Sequence, residues 1–225
     1  MKKAIIIIPI LILAGITGLL IFLGVPYDPA QSAYYHMEPP ENLTRTIENS
    51  RAGNRTTYVE KSVETGGEYT LLEIELAPGG GNDPHHHSEF SEYFTAVSGT
   101  LGLWLNGEEI FLEEGESALA DIGDEHAFFN PGGDTITFTV RIEPGHPGFE
   151  KSLYILYGLS NDGRVDEDGI PENIYHTAVF ATLSDTGSSE VGTLLSWVIR
   201  RLAGRAQRMG IEDELIERYY LAMTE

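Results

Sequence analysis

The chain has 225 residues, with 14 Lys or Arg against 35 Asp or Glu and a formal net charge of −21. A surface this acidic repels a phosphate backbone and argues against nucleic acid as a partner. Cysteine is absent, so disulfides and thiolate metal sites are excluded, and any metal must be held by histidine and carboxylate.

After Met1, Lys2 and Lys3 comes an uncharged run from Ala4 to Val25, rich in Ile and Leu. Its length suits a helix crossing about 30 Å of hydrocarbon. The expectation is a single-pass anchor over 1–25. Lys2 and Lys3, with no further basic residue until Arg45, place the N-terminus inside and the following domain outside. The rival reading is a signal peptide cleaved near Ala30-Gln31-Ser32, which would leave a secreted protein. Residues 26–54, with Pro26, Pro29, Pro39 and Pro40, read as a linker. What remains is the size of one domain with elaborations.

From Arg55 the sequence alternates polar and apolar residues, as in Tyr69-Thr70-Leu71-Leu72-Glu73-Ile74-Glu75-Leu76 and Thr135-Ile136-Thr137-Phe138-Thr139-Val140-Arg141. A period of two predicts half-buried strands. Turn signals separate them at Pro78-Gly79, Ser98-Gly99, Asn106-Gly107, Glu114-Gly115, Gly123-Asp124 and Pro131-Gly132. Asn106-Gly107 fits a two-residue hairpin whose central positions both need positive φ. Many short strands with glycine punctuation predict an antiparallel sandwich or barrel over 55–143.

Three of the seven histidines fall in His85-His86-His87. Alternate strand residues face one side, so His85 and His87 can point inward while His86 points away. Glu92 opens the next stretch, with Phe94 and Ala96 on its face, and His126 offers an imidazole from a separate strand, followed by Phe128 on its own face. Imidazoles with a hard carboxylate suit a divalent transition metal.

The spacing Gly79, five residues, His85, one, His87, four, Glu92, six, Gly99 resembles the first motif of the cupin superfamily. Gly115, Gly123, His126 and Asn130 resemble its second motif, with Asp121 where proline is usual. The resemblance implies a mainly β fold, a single cupin (jelly-roll) β-barrel, here with an N-terminal transmembrane helix. It implies His85, His87, Glu92 and His126 as ligands of a divalent metal (Mn, Fe, Ni, Zn or Cu), and turn roles for Gly79, Gly99, Gly115 and Gly123. It is to small, quercetin dioxygenase-like cupins, so a dioxygenase-like oxidoreductase acting on a small chelating substrate is expected. The alternatives are a non-catalytic small-molecule or carbohydrate binding module displayed on the membrane, and a non-redox isomerase or decarboxylase with Glu73 or Glu75 as general base. Cupins often dimerise, which makes a homodimer a further expectation.

Beyond Pro144 the spacing turns helical, with Phe149, Leu153, Leu156 and Tyr157, then Val179, Phe180 and Leu183, which predicts a helical extension over 144–225. Residues 149–183 resemble the helical extension that follows the barrel in some membrane-anchored cupins. Asp162, Asp166 and Asp168 read as a solvated turn, because Arg164 stands where a calcium loop wants oxygen. Residues 190–209 form an amphipathic basic pattern with Trp197, Arg200, Arg201, Arg205 and Arg208. Packing of its apolar stripe, with the arginines paired to the acidic surface, is the expected role, and a membrane interface the alternative. His36, His146 and His176 read as surface or packing residues.

Overall fold

A computed structural model describes residues 15, 18, 22–188 and 192–224. Most of the expected Ala4–Val25 span lies outside the described residues. Among the described residues no helix is long and apolar enough to cross a membrane.

The alternating segments form strands β1 (Thr46–Asn49), β2 (Asn54–Glu60), β3 (Thr70–Leu76), β4 (His86–His87), β5 (Ser91–Ser98), β6 (Leu101–Leu105), β7 (Glu108–Leu112), β8 (Ser117–Ala120), β9 (His126–Phe129) and β10 (Ile136–Glu143). A six-stranded sheet runs β1-β2-β3-β10-β5-β8, and a three-stranded sheet runs β7-β6-β9. The Asn106-Gly107 turn joins β6 to β7 with φ of 49° and 93°, as a type I′ hairpin requires.

The fold is a mainly β jelly roll with C-terminal helices, its strands arranged in two larger sheets and a pair formed by β4 with Thr186–Gly187. The stretch from Gly80 to His85 runs beside β9, with backbone hydrogen bonds from Asn82 to the Phe128 carbonyl, from Asn130 to the Gly80 carbonyl, and in both directions between His85 and His126. Side chains pack between the two larger sheets. Phe128 of β9 packs against Phe94 of β5 and Phe138 of β10, with ring centroids 6.4 and 5.0 Å away. Phe94 and Phe138 are fully buried, and burial of one such side chain stabilises by about 1.5–3 kcal/mol.

The segment expected as a linker builds part of the body. β1 pairs with β2 over Thr46–Asn49, and Tyr27, Leu43 and Ile47 are buried.

The extension contains α1 (Pro147–Asn161), α2 (Ile174–Leu183), a short strand β11 (Thr186–Gly187), α3 (Gly192–Arg208), α4 (Ile211–Ile216) and a π-helical turn over Glu217–Leu221. His146 caps α1, its Nδ1 accepting from the Phe149 amide at 2.9 Å, with Pro147 at the first helical position, where its missing N–H costs nothing. Glu150 of α1 accepts from the Ser62 amide and the Thr70 hydroxyl, both at 2.6 Å, and Tyr58 of β2 donates to the Glu150 carbonyl. These bonds pin α1 to the large sheet, where Tyr154 stacks on Tyr58 at 5.1 Å. The Asp162–Asp168 segment is a turn closed by its own groups: Asp166 accepts from the amides of Asp168 and Ile170, and Asp162 accepts from Tyr219 and Arg218.

Candidate metal centre

β4 is two residues long and presents His86 and His87 on opposite faces. His86 turns out to cover Gly187, where any Cβ would lie 2.6 Å from its Nε2. His85 and His126 exchange both backbone hydrogen bonds, at 3.0 and 2.8 Å, which sets their rings 4.6 Å apart. Glu92 enters from β5 beside them. One ligand atom from each of His85, His87, Glu92 and His126 lies within 4.8 Å of all the others. The structure thus brings together all four residues singled out from the sequence, from three separate stretches of chain. His87, Glu92 and His126 are 2, 5 and 2% exposed, while His85 sits half-buried at the edge.

Each imidazole is oriented by a carbonyl at its rear nitrogen. Nδ1 of His85 meets the Asp83 carbonyl at 2.9 Å, Nδ1 of His126 meets that of Asp124 at 2.9 Å, and Nδ1 of His87 meets that of Asp185 at 3.2 Å. Holding the proton on Nδ1 leaves Nε2 as the inward ligand atom, the arrangement that metal-binding histidines adopt. The His87 ring is also clasped, stacked on Phe90 at 4.2 Å and edge-on to Phe149 at 5.8 Å.

The donors fit a cation by two further observations. His87 Nε2 is buried without a hydrogen-bond partner among the described residues, which is costly unless something binds there. The protonation pattern also favours a cation. Burial alone would raise the Glu92 pKa, but its His126 hydrogen bond and the charges of His87, His126 and His85 bring it down to about 2. Burial, helped by repulsion from His87 and His126, lowers His85 to about 4. His87 is lowered by burial. In His126 burial works in the same direction but is outweighed by the Glu92 bond at 2.9 Å, and the net shift is upward. Glu92 is thus biased toward the carboxylate and His85 and His87 toward the neutral imidazole, while the Glu92 contact shifts His126 toward its protonated form.

His85 and Glu92 of the cluster line a cavity of about 600 Å³. The sheets contribute Leu72, Ile74, Phe94, Phe128 and Val140, and α1 closes it with Phe149, Leu153, Leu156 and Tyr157. Away from the cluster the lining carries Asn49, Asn54 and Thr56. Thr56 pairs with the Tyr157 hydroxyl at 2.9 Å, whereas Asn54 Oδ1 is buried without a partner among the described residues.

Glu73 and Glu75, considered from the sequence as general bases, lie on the opposite face of β3 from Leu72 and Ile74, and Glu75 pairs with Arg55 at 2.7 Å on the outside. Strand parity puts them there, because the cavity takes the even-numbered residues. Asp185 has no motif signal. Its reach to His87 depends on β11 pairing with β4, which no local pattern announces. The lining role of α1 was partly visible as a stripe from Phe149 to Tyr157, though not what the stripe would cover. Asp121, where proline is usual, builds its turn by accepting from the Ile122 amide and donating its own amide to Asp124.

A family model described as "Cupin domain" matches residues 72–145. The chain is 34% identical over 77 residues to the tetracenomycin polyketide synthase protein TcmJ of Streptomyces glaucescens, covering 34% of this chain and 52% of that protein. It is 34% identical over 71 residues to the mannose-1-phosphate guanylyltransferase ManC of Salmonella typhimurium, covering 32% of this chain and 15% of that protein. The chain therefore spans about half or less of the length of these relatives. A solved structure described as a predicted oxalate decarboxylase from Thermotoga maritima aligns with 48% of this chain and 99% of its own, at 20% identity and a TM-score of 0.41.

Proposed function

Taking residues 72–145 as a single cupin domain, we propose that His85, His87, Glu92 and His126 bind one divalent transition metal. On this reading the protein is a membrane-tethered, dioxygenase-like oxidoreductase acting on a small chelating substrate. The observation that carries the reading is the convergence of four donor atoms within 4.8 Å, two of them, from His85 and Glu92, lining a largely apolar cavity of about 600 Å³. A divalent transition metal held by His85, His87, Glu92 and His126 would supply Lewis acidity and, if redox-active, electrons for oxygen chemistry.

The chain's own residues divide the remaining work. Phe94, Phe128, Leu72, Ile74 and Val140 take up the apolar body of the substrate and exclude water from it. Phe149 and Leu153 of α1 cover it from the other side. Asn54 Oδ1, buried and without a partner, accepts a hydrogen bond from a donor at the far end of the substrate and so fixes its direction. Glu92, held ionised with its pKa near 2, is a ligand and not a proton donor.

The non-redox alternative is weakened by the outward placement of Glu73 and Glu75, which leaves Glu92 as the carboxylate among the buried lining residues. The test is oxygen uptake by the full chain, loaded with Fe, Mn, Ni or Cu, against a panel of flavonols and other aromatic diols. Metal-dependent uptake that disappears in His126→Ala supports the reading. Binding of these compounds with no uptake or product for any metal would replace the oxidoreductase with a binding module.

The tether rests on the Ala4–Val25 sequence, which is long and apolar enough for one span. The charge distribution around it favours the cupin domain on the outside.

A further inference from the structure

Helix α3 packs only part of its surface. Leu202, Ala203 and Ala206 are buried against the body, but Leu194, Leu195 and Trp197 are 77, 49 and 37% exposed. Leu194, Trp197, Arg201, Arg205 and Arg208 recur at three- and four-residue spacing and therefore share one stripe of the helix. Four of the chain's 14 basic residues lie between Arg200 and Arg208, in a protein whose remaining surface is strongly acidic.

Among the described residues these arginines form no ion pair with an acidic side chain, in contrast to the pairing the sequence suggests. Arg201 donates to the Gly24 carbonyl, Arg205 to that of Phe22 at 2.5 Å, and Arg208 to those of Leu23 and Val25 at 2.7 and 3.1 Å. These are the carbonyls that a helix ending near Gly24 would leave without partners, and cationic donors suit that end. The chain at Val25–Tyr27 crosses directly over Gly204, where a Cβ would lie 2.4 Å from the Val25 carbonyl oxygen. Arg205 also lies over the Phe22 ring at 4.1 Å and Arg201 over the Trp197 ring at 4.4 Å. Phe22 and Val25, 51 and 56% exposed, extend the same apolar and cationic patch to the end of the apolar N-terminal run.

We propose that the exposed stripe of α3 from Leu194 to Arg208, together with Phe22 and Val25, is a docking surface for a lipid bilayer carrying anionic headgroups. The proposal rests on the membrane-anchor reading of residues 4–25. Continuity with the apolar run and local charge select this occupant. The patch begins where the run ends, and aromatic and leucine side chains beside arginines match the boundary between hydrocarbon and headgroups. The arginine bonds to residues 22–25 fix α3 against the anchor, so docking sets the orientation of the whole domain. Ser196, Ile199 and Arg200 of the same helix line the cavity, which places its rim beside the membrane.

The chain has two tryptophans, and Trp104→Phe leaves Trp197 as the reporter. The full chain carrying this change is reconstituted into vesicles of phosphatidylcholine and phosphatidylglycerol, with lipids brominated near the headgroup as quenchers. The expected result is a blue-shifted Trp197 emission that falls about two-fold with brominated lipid, and less when phosphatidylglycerol is omitted. The complementary Trp197→Phe chain, reporting Trp104, should be insensitive to the brominated lipid, and the difference between wild type and this variant gives the same answer if Trp104→Phe misfolds. A chain that sediments with vesicles while Trp197 stays quenchable by aqueous acrylamide overturns the docking and leaves the anchor standing. A Trp197 shielded from acrylamide but insensitive to brominated lipid assigns the patch to a second copy and also overturns it. A chain that remains in the supernatant without detergent removes the anchor reading and the docking together.

Discussion

Glu92 and His126 reach each other because β5 and β9 lie in facing sheets whose alternation aims both side chains inward. Asp185 reaches His87 from 98 residues away, because a two-residue strand of the extension pairs with β4. The sheets therefore supply the ligand atoms, while the helical extension supplies a cover for the cavity and one of the three carbonyls that orient the imidazoles. The difference teaches that motif spacing encodes which atoms meet, whereas the rigidity of the meeting depends on sequence outside the motif.

The largest effect that sharpens this contrast comes from Asp185. Its carboxylate accepts from the Ser88 amide, the Ser88 hydroxyl and the Glu89 amide at 2.6, 2.8 and 2.7 Å, and its φ is +50°. Asp185→Gly keeps that backbone conformation accessible and removes only the side-chain clamp. Metal affinity, measured by competition with a chromophoric chelator, should fall by about 10–100-fold, the usual effect of losing support behind a ligand. An unchanged affinity would mean that the sheets alone determine the site.

Gly158 tests how tightly the extension packs on itself. An added Cβ would stand 2.2 Å from the Tyr219 ring, and that ring is held by its hydroxyl bond to Asp162 at 2.7 Å. Gly158→Ala should destabilise the protein by about 1–3 kcal/mol through overpacking, despite the better helix propensity of alanine. Urea unfolding measures the loss, and a gain in stability would show that α1 and the π-helical turn have room to separate.

The smallest effect is a pH dependence within α1. Burial lowers the Lys151 pKa to about 8 from its ordinary 10.5, while its ammonium donates to the Tyr35 carbonyl at 3.0 Å. Between those two values the unfolded chain binds more protons than the folded one, so this residue makes stability rise with pH. The rise attributable to Lys151 between about pH 8 and 9.5 should be on the order of 1–2 kcal/mol. It should be missing from Lys151→Met when both proteins are unfolded in urea across that range. Equal slopes for the two proteins would place the lysine in water.

Much of the β architecture was legible from local pattern. Period-two stretches became β3 and β10, Asn106-Gly107 became the β6–β7 hairpin, and His85, His87, Glu92 and His126 converge because strand parity and turn length are local properties. The course of Pro78–Pro84 beside β9 was not legible, because its backbone bonds to Phe128 and Asn130 lie outside any period-two stretch. The extension was legible as helices but not as contacts. Arginines that looked suited to acidic partners instead donate to the backbone at residues 22–25, and His146 serves as a helix cap. Both depend on which chain segments meet, and that is decided by tertiary packing.

The central claim is tested most directly by the metal content of the purified full chain beside a His85→Ala, His126→Ala variant, measured by elemental mass spectrometry after reconstitution with Mn, Fe, Ni, Zn or Cu and removal of excess. The account predicts one equivalent of a transition metal in the wild type and essentially none in the variant. Wild-type protein that retains no metal, or a variant that retains as much, would contradict it.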